Sequence, residues 1–291
     1  MDAADITTSP LKVFAPGLFR GKTALVTGGG RGIGRAIALG FAELGANVVI
    51  ASRKPEHLEP TQREIEAFGV GCLAVPMSIR AVEQVDALAT ESYARFGAID
   101  FLINNAGGQF PARPWDITDN GFRAVVDLNL NGTWNMCSRF GKHMAQRRSG
   151  SIVNIVHVYS FERGAPYFAH SGAARAGVVN LTRSLAYYYA RYGVNINALA
   201  PGSIATQGLR EEEYAKALSA GERPPVEAVE AQQVRDIPAH RLGTPEEVAA
   251  MTLFLCSPAA RYINGASLIA DGGQYFGNWP EVPEAPDFGA P

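Results

Sequence analysis

The stretch Leu25-Val26-Thr27-Gly28-Gly29-Gly30-Arg31-Gly32-Ile33-Gly34 restricts the possible folds more than any other part of the chain. An apolar run over residues 23–26 ends in the glycines, and an amphipathic pattern starts at once, with Ile33, Ile37, Phe41 and Leu44 at helical spacing. The apolar stripe of such a helix needs a sheet to cover. Without Cβ atoms the glycines let the backbone come close to a pyrophosphate, and the N–H groups opening the helix point at it. A tight turn with no ligand would also use glycine. The strand before and the helix after favour a dinucleotide site.

The remaining chain repeats that alternation. Apolar runs at 47–51, 71–77, 99–103, 152–158, 195–200 and 266–270 read as strands. Between them lie helical patterns at about 55–68, one with Val82, Val85, Leu88 and Phe96 inward, a long one ending at Arg148, another over 171–192, and one at 245–255. This order predicts an α/β fold, a Rossmann-type doubly wound parallel sheet in a single domain. An N-terminal arm (1–20) precedes the dinucleotide-binding domain (21–275), and a tail rich in proline and aromatics follows (276–291). Residues 203–240, with Glu211-Glu212-Glu213 and Pro224-Pro225, read as a mobile helical flap.

Composition narrows the function. The 291 residues carry a net charge of −2 with no basic run, which argues against nucleic acid. No apolar stretch reaches the roughly 20 residues of a bilayer span, and residues 1–10 lack a signal-peptide pattern. Cys72, Cys137 and Cys256 are far apart and the five histidines are unclustered, so neither disulfides nor a metal are expected. A soluble cytoplasmic protein with reduced thiols is the reading.

The end of the second strand selects the nucleotide. An NAD site places a carboxylate there, about 20 residues beyond the glycines, to bind ribose hydroxyls. This chain has Ser52-Arg53-Lys54 instead. A guanidinium holds a ribose 2′-phosphate through two charge-assisted hydrogen bonds, and a carboxylate would repel it. Arg31, inside the turn, would close on the same group. The expected cofactor is NADP, against the plainer possibility that Arg53 and Lys54 are solvated surface charges.

Thr27-Gly28-x-x-x-Gly32-Ile33-Gly34, Asn104-Asn105-Ala106-Gly107, Asn129, Pro201-Gly202 with Thr206, Arg241-x-Gly-x-Pro245-Glu246-Glu247 and Asp271-Gly272-Gly273 together resemble the short-chain dehydrogenase/reductase family, over about residues 20–275. The resemblance implies a seven-stranded parallel sheet, a nicotinamide cofactor and a homotetramer that pairs the two long helices through their small-residue faces at 132–144 and 173–185. It places cofactor contacts on Gly28, Arg31, Gly32, Ile33 and Gly34, then on Ser52, Arg53 and Ser78. Further contacts fall on Asn105, Ala106 and Gly107, and on Pro201, Gly202, Ile204 and Thr206.

The pattern breaks where the chemistry should be. The family uses a Tyr-x-x-x-Lys pair on the second long helix, the tyrosine as acid or base and the lysine lowering its pKa. Here the tyrosine place holds Ser171 and the lysine place Arg175, and His157 stands where a serine is usual after the fifth strand. Within the family these departures, with His170-Ser171-Gly172-Ala173-Ala174-Arg175-Ala176-Gly177, Gly107-Gly108-Gln109-Phe110, Ala15-Pro16-Gly17-Leu18 and Ile50-Ala51-Ser52-Arg53-Lys54, resemble peroxisomal trans-2-enoyl-CoA reductase. They also resemble 2,4-dienoyl-CoA reductases, which use a tyrosine just after the fifth strand, as in Ile155-Val156-His157-Val158-Tyr159. The implied catalytic set is Tyr159, Ser171, Arg175 and Asn129, with Arg175 also binding cofactor. His157 reads as a structural histidine and Tyr167 as a wall residue.

Reduction of an α,β-unsaturated thioester puts hydride on Cβ and charge on the thioester oxygen, so donors aimed at that oxygen matter more than an acid at the reacting carbon. Phe110, Trp115, Phe161, Tyr167 and Phe168, on loops at the carboxyl edge of the sheet, would suit an acyl chain. Arg113, Arg163 and Arg210 are candidates for the phosphates of a coenzyme A carrier. The targeting tripeptide of peroxisomal relatives is absent from Phe288-Gly289-Ala290-Pro291, which fits a cytoplasmic location. The expected function is NADPH-dependent reduction of the C2=C3 bond of an enoyl thioester. Two rivals are a carbonyl or alcohol oxidoreductase on an apolar substrate and a non-catalytic NADP-binding protein that has lost its dyad.

Overall fold

A computed structural model of the chain describes residues 9–164, 167–206, 234–235 and 237–276. Seven strands form one sheet: β1 (Thr23–Thr27), β2 (Asn47–Ser52), β3 (Cys72–Pro76), β4 (Phe101–Asn104), β5 (Gly150–Ile155), β6 (Val194–Pro201) and β7 (Ser267–Ala270). Their spatial order is β3-β2-β1-β4-β5-β6-β7 and every pairing is parallel. The order reverses direction between β1 and β4, where open α/β sheets leave a crevice at their carboxyl ends. The glycine turn opens onto that crevice.

Both faces of the sheet are covered, which is why the strands read as unbroken apolar runs. Ala24, Val26, Val48, Ile50, Phe101 and Ile103 meet α1 (Gly32–Glu43), α2 (Pro55–Glu66) and, after four further helices, α7 (Pro245–Cys256). Their neighbours Leu25, Val49, Ala51 and Leu102 turn the other way, onto α3 (Val82–Phe96) and α5 (Gly132–Arg147). The arm joins the first layer through Phe19, whose ring lies 5.2 Å from that of Phe41 and 5.0 Å from that of Phe101. Cys72, Cys137 and Cys256 are buried and form no disulfide. Among the described residues no helix is long and apolar enough to cross a membrane.

Two elements depart from the sequence expectation, and both shape the site. The helical region ending near Arg148 is interrupted: α4 (Asp119–Val126) passes through a π-turn at Asp127–Asn131 before α5 begins. The extra residue in that turn re-aims Asn129 toward the loop after β4. The fifth strand stops at Ile155 rather than running to residue 158, because Val158–Ser160 winds into a 3-10 turn. His157 and Ser160 close it reciprocally, each side chain bonded to the other residue's backbone or ring. The next helix, α6, spans Ala169–Tyr189, with its last expected residues in a 3-10 turn at Ala190–Tyr192. Most of the expected flap, 207–233, and the tail beyond Phe276 lie outside the described residues.

Candidate active site

A cleft of about 480 Å³ runs across the carboxyl edge of the sheet, from the glycine turn to Gly107 and Thr206. One wall is the turn itself. A Cβ on Gly34 would overlap the carbonyl oxygen of Gly28, so only glycine lets α1 start this close to β1. Arg31 caps α1 in extended conformation without a side-chain bond to the helix, which leaves its first N–H groups turned to the cleft. Thr27 ties the turn to β4: its hydroxyl accepts from the N–H groups of Asn105 and Ala106, both at 3.0 Å. The Asn105 amide in turn donates to Thr27 O at 3.0 Å.

Ser52 ends β2 at the mouth with Arg53 and Lys54 just beyond it, and Ser78 follows β3. The described lining carries Arg31, Arg53 and Lys54 and no carboxylate. Of the cofactor residues expected after β6, Thr206 lines the cleft and faces Gly32. Ile204 has its side chain in the core and pairs with Gly243 in a parallel bridge, outside the cleft lining. Gly202 is pinned to β7 through Ala270 O at 3.1 Å, with Pro201 closing β6 beside it.

The expected catalytic residues divide into two groups. Asn129 is buried and holds the loop after β4, donating to Gly108 O and Val125 O at 2.8 Å each and accepting from Gly108 N at 3.3 Å. It shapes the cleft wall through the backbone. Arg175 reaches from α6 between two elements: its Nη1 donates to Ile155 O at the end of β5, and its other Nη lies against Gly107. A Cβ on Gly107 would overlap that guanidinium and the Asn129 amide oxygen, both held from behind, so the glycine makes room for the cation. Burial holds the Arg175 pKa down to about 10, so it stays charged at neutral pH and does not shuttle protons. Its Nε–H is buried with no acceptor among the described residues.

Ser171 is buried on α6 and bonds two partners, Gln109 Oε1 at 2.7 Å and His157 Nε2 at 3.3 Å. The other imidazole nitrogen, Nδ1, meets Ser160 Oγ at 3.2 Å. His157 therefore bonds directly to Ser171, while the sequence favoured a structural histidine there over a donor. Gln109 and Ser160 are additions too. Gln109 sits in the Gly107-Gly108-Gln109-Phe110 stretch that the resemblance already marks, while nothing in the sequence points to Ser160. Burial, followed by the nearby Arg175 charge, drives the His157 pKa down to about 4. Tyr159 stacks edge-on to His157, with ring centroids 5.8 Å apart. Its hydroxyl accepts from Gln274 Nε2 at 3.2 Å, an amide that also donates to Ser203 Oγ at 3.0 Å.

The expected aromatics lie outside the cleft lining. Phe110, Trp115 and Tyr167 are 37%, 78% and 53% exposed, and Ala112 N donates to Tyr167 O at 2.9 Å, tying the loop after β4 to the residues before α6. Phe161 packs edge-on to Tyr275, while Phe168 is half-buried beside α6. The arginines expected to meet phosphates have partners of their own. Arg113 pairs with Asp116 at 2.5 Å and lies over Trp115, and Arg163 donates to the carbonyls of Gln274 and Tyr275. Arg210 lies outside the described residues.

A profile described as Enoyl-(Acyl carrier protein) reductase matches residues 28–274, spanning every wall of this cleft. The chain belongs to the short-chain dehydrogenase/reductase family. A probable 2,4-dienoyl-CoA reductase of Bacillus subtilis is 38% identical over 261 residues, covering 89% of this chain and 98% of that one. Among solved structures, a short-chain dehydrogenase from Bacillus anthracis superposes with a TM-score of 0.80 at 36% identity, covering 90% of this chain and 100% of its own. A citronellol catabolism dehydrogenase of Pseudomonas aeruginosa gives 0.76 at 37% identity, covering 90% and 98%. The match begins at Gly28 and takes in the whole glycine turn through Gly34.

Proposed function

We propose that the protein is an NADPH-dependent reductase of the C2=C3 bond of enoyl thioesters, of the enoyl-CoA type. The observation that carries this reading is the Gln109–Ser171–His157 cluster beside Arg175, which offers a hydroxyl donor and a fixed cation where the family's proton-transfer pair would stand. The nicotinamide cofactor supplies hydride when bound. Gly28, Gly32 and Gly34 with the start of α1 hold its pyrophosphate, while Arg31 and Arg53 hold the 2′-phosphate. The orphaned Nε–H of Arg175 fits a ribose hydroxyl. Ser171 and Tyr159 stabilise the negative charge that develops on the thioester oxygen, and Arg175 adds a positive charge nearby. Asn129 positions the loop. The likeness to the probable 2,4-dienoyl-CoA reductase of Bacillus subtilis supports an acyl-CoA substrate, and the exposed Phe110, Trp115 and Tyr167 accommodate its chain. We further infer a cytoplasmic homotetramer built on α5 and α6, which leave Trp134 and Tyr187 exposed in the single chain.

A carbonyl or alcohol oxidoreductase acting on an apolar substrate is the second reading, favoured by the likeness to the citronellol catabolism dehydrogenase. NADPH consumption with trans-2-enoyl-CoA esters, run beside ketones and aldehydes, separates the two. For the cofactor, NADPH binds more tightly than NADH, and Arg53→Ala removes most of the preference. One charge-assisted phosphate contact contributes about 1.5–3 kcal/mol, so the variant loses about tenfold or more in NADPH affinity. Titration by nucleotide fluorescence checks it; equal affinity of the parent for both nucleotides contradicts the assignment.

A further inference from the structure

Ser171 has one hydroxyl proton, and its 2.7 Å contact with Gln109 Oε1 takes that proton, because a carbonyl oxygen can only accept. The 3.3 Å contact with His157 Nε2 must then carry the proton of the imidazole. The far side of the ring agrees. Ser160 Oγ accepts the backbone N–H of His157 at 3.3 Å, which leaves its own proton for Nδ1 at 3.2 Å. Each proton in the chain Ser160, His157, Ser171, Gln109 thus runs one way, outward from Ser160, and ends at an exposed glutamine.

We propose that His157 is a positioning residue that donates Nε2–H to Ser171 and so commits the Ser171 hydroxyl to donate outward, to Gln109 Oε1 in the free protein and to the substrate oxygen once that oxygen takes the place of Gln109. The assignment rests on the enoyl-thioester reading only for the identity of that oxygen. With the opposite tautomer the serine hydroxyl would donate to His157 and turn a lone pair toward the developing oxyanion, weakening the site it now supports. Ser160 selects the productive tautomer. Arg175 on α6 and burial keep the ring neutral, since a protonated imidazole would lie beside a guanidinium already in place. The same proton rules out a nucleophile–base pair: a nitrogen that donates to Ser171 does not deprotonate it.

The test uses the full-length protein. In nitrogen-15-labelled histidine spectra His157 shows the Nε2–H tautomer and stays neutral from pH 8 to about 5, and Ser160→Ala mixes the tautomers. With a trans-2-enoyl-CoA ester, His157→Phe keeps the ring's packing but lowers kcat about tenfold or more, with NADPH affinity unchanged. His157→Gln, whose amide nitrogen reaches the Nε2 place, restores most of the rate; His157→Asn, which reaches only the Nδ1 place, does not. A structural role alone would rank the three variants by stability instead. The Nδ1–H tautomer, titration near the ordinary 6.5, or equal rates for the glutamine and asparagine variants overturns the proposal. A parent inert toward enoyl thioesters overturns the substrate reading instead, and the tautomer then decides the role of His157 by itself.

Discussion

Arg175→Ala weakens NADPH binding by about tenfold or more and lowers turnover together with it. The guanidinium fills a gap between Ile155 O and Gly107, so its removal leaves the carbonyl unpaired and a void under the loop after β4. Loss of a charge-assisted hydrogen bond costs about 1.5–3 kcal/mol, and each 1.4 kcal/mol is a factor of ten. Arg175→Lys retains part of both properties and acquires a pH dependence that the parent lacks. Burial disfavours the charged amine, so the lysine pKa falls below its ordinary value. Activity of that variant is full below the lowered pKa and declines as pH rises through it. The parent keeps its charge until about pH 10. Normal NADPH affinity in Arg175→Ala would remove Arg175 from the cofactor site.

Ser171→Ala lowers kcat for an enoyl thioester by about 10²–10³-fold, the usual cost of deleting one oxyanion donor, with cofactor affinity unchanged. The side chain is small and buried, and alanine keeps the helix, so the loss reports the hydroxyl itself. Gln109 and His157 are left without their shared partner, and stability falls by about 1–3 kcal/mol as well. Measuring kcat at saturating NADPH, below the melting temperature of the variant, separates the two effects. Tyr159→Phe isolates the second donor while preserving the ring against His157. An unchanged rate in that variant assigns the whole donor role to Ser171. An unchanged rate in Ser171→Ala contradicts the site.

Much of the fold was legible because its signals are local. Apolar runs alternate with helical patterns, and the residues behind them, such as Leu25 and Val26, bury on opposite faces of one sheet. One wall of the cleft was legible for the same reason: the glycine turn and Ser52-Arg53 are runs of consecutive residues, and both line it. The reactive corner was not. His157 and Ser171 are 14 positions apart and Ser171 and Gln109 are 62 apart, so only the folded sheet edge shows that they share one hydrogen-bonded cluster. The π-turn at Asp127–Asn131 was hidden because an inserted residue leaves helical composition unchanged, yet it is what aims Asn129 at Gly108. The early end of β5 escaped for a related reason: Val156 and Val158 are apolar and buried whether the chain stays extended or winds into a turn.

Hydride delivery to the carbon end of a conjugated thioester is read most directly from the position of deuterium after single-turnover reduction with NADPH deuterated at nicotinamide C4. The substrates are trans-2-enoyl-CoA and 2,4-dienoyl-CoA esters beside simple ketones and aldehydes. The expected result is turnover of the 2-enoyl thioester with deuterium at Cβ, and little reaction with the carbonyl compounds. Faster reduction of the ketones, with deuterium on the carbinol carbon, would contradict it, as would bound NADPH that no substrate of either class consumes.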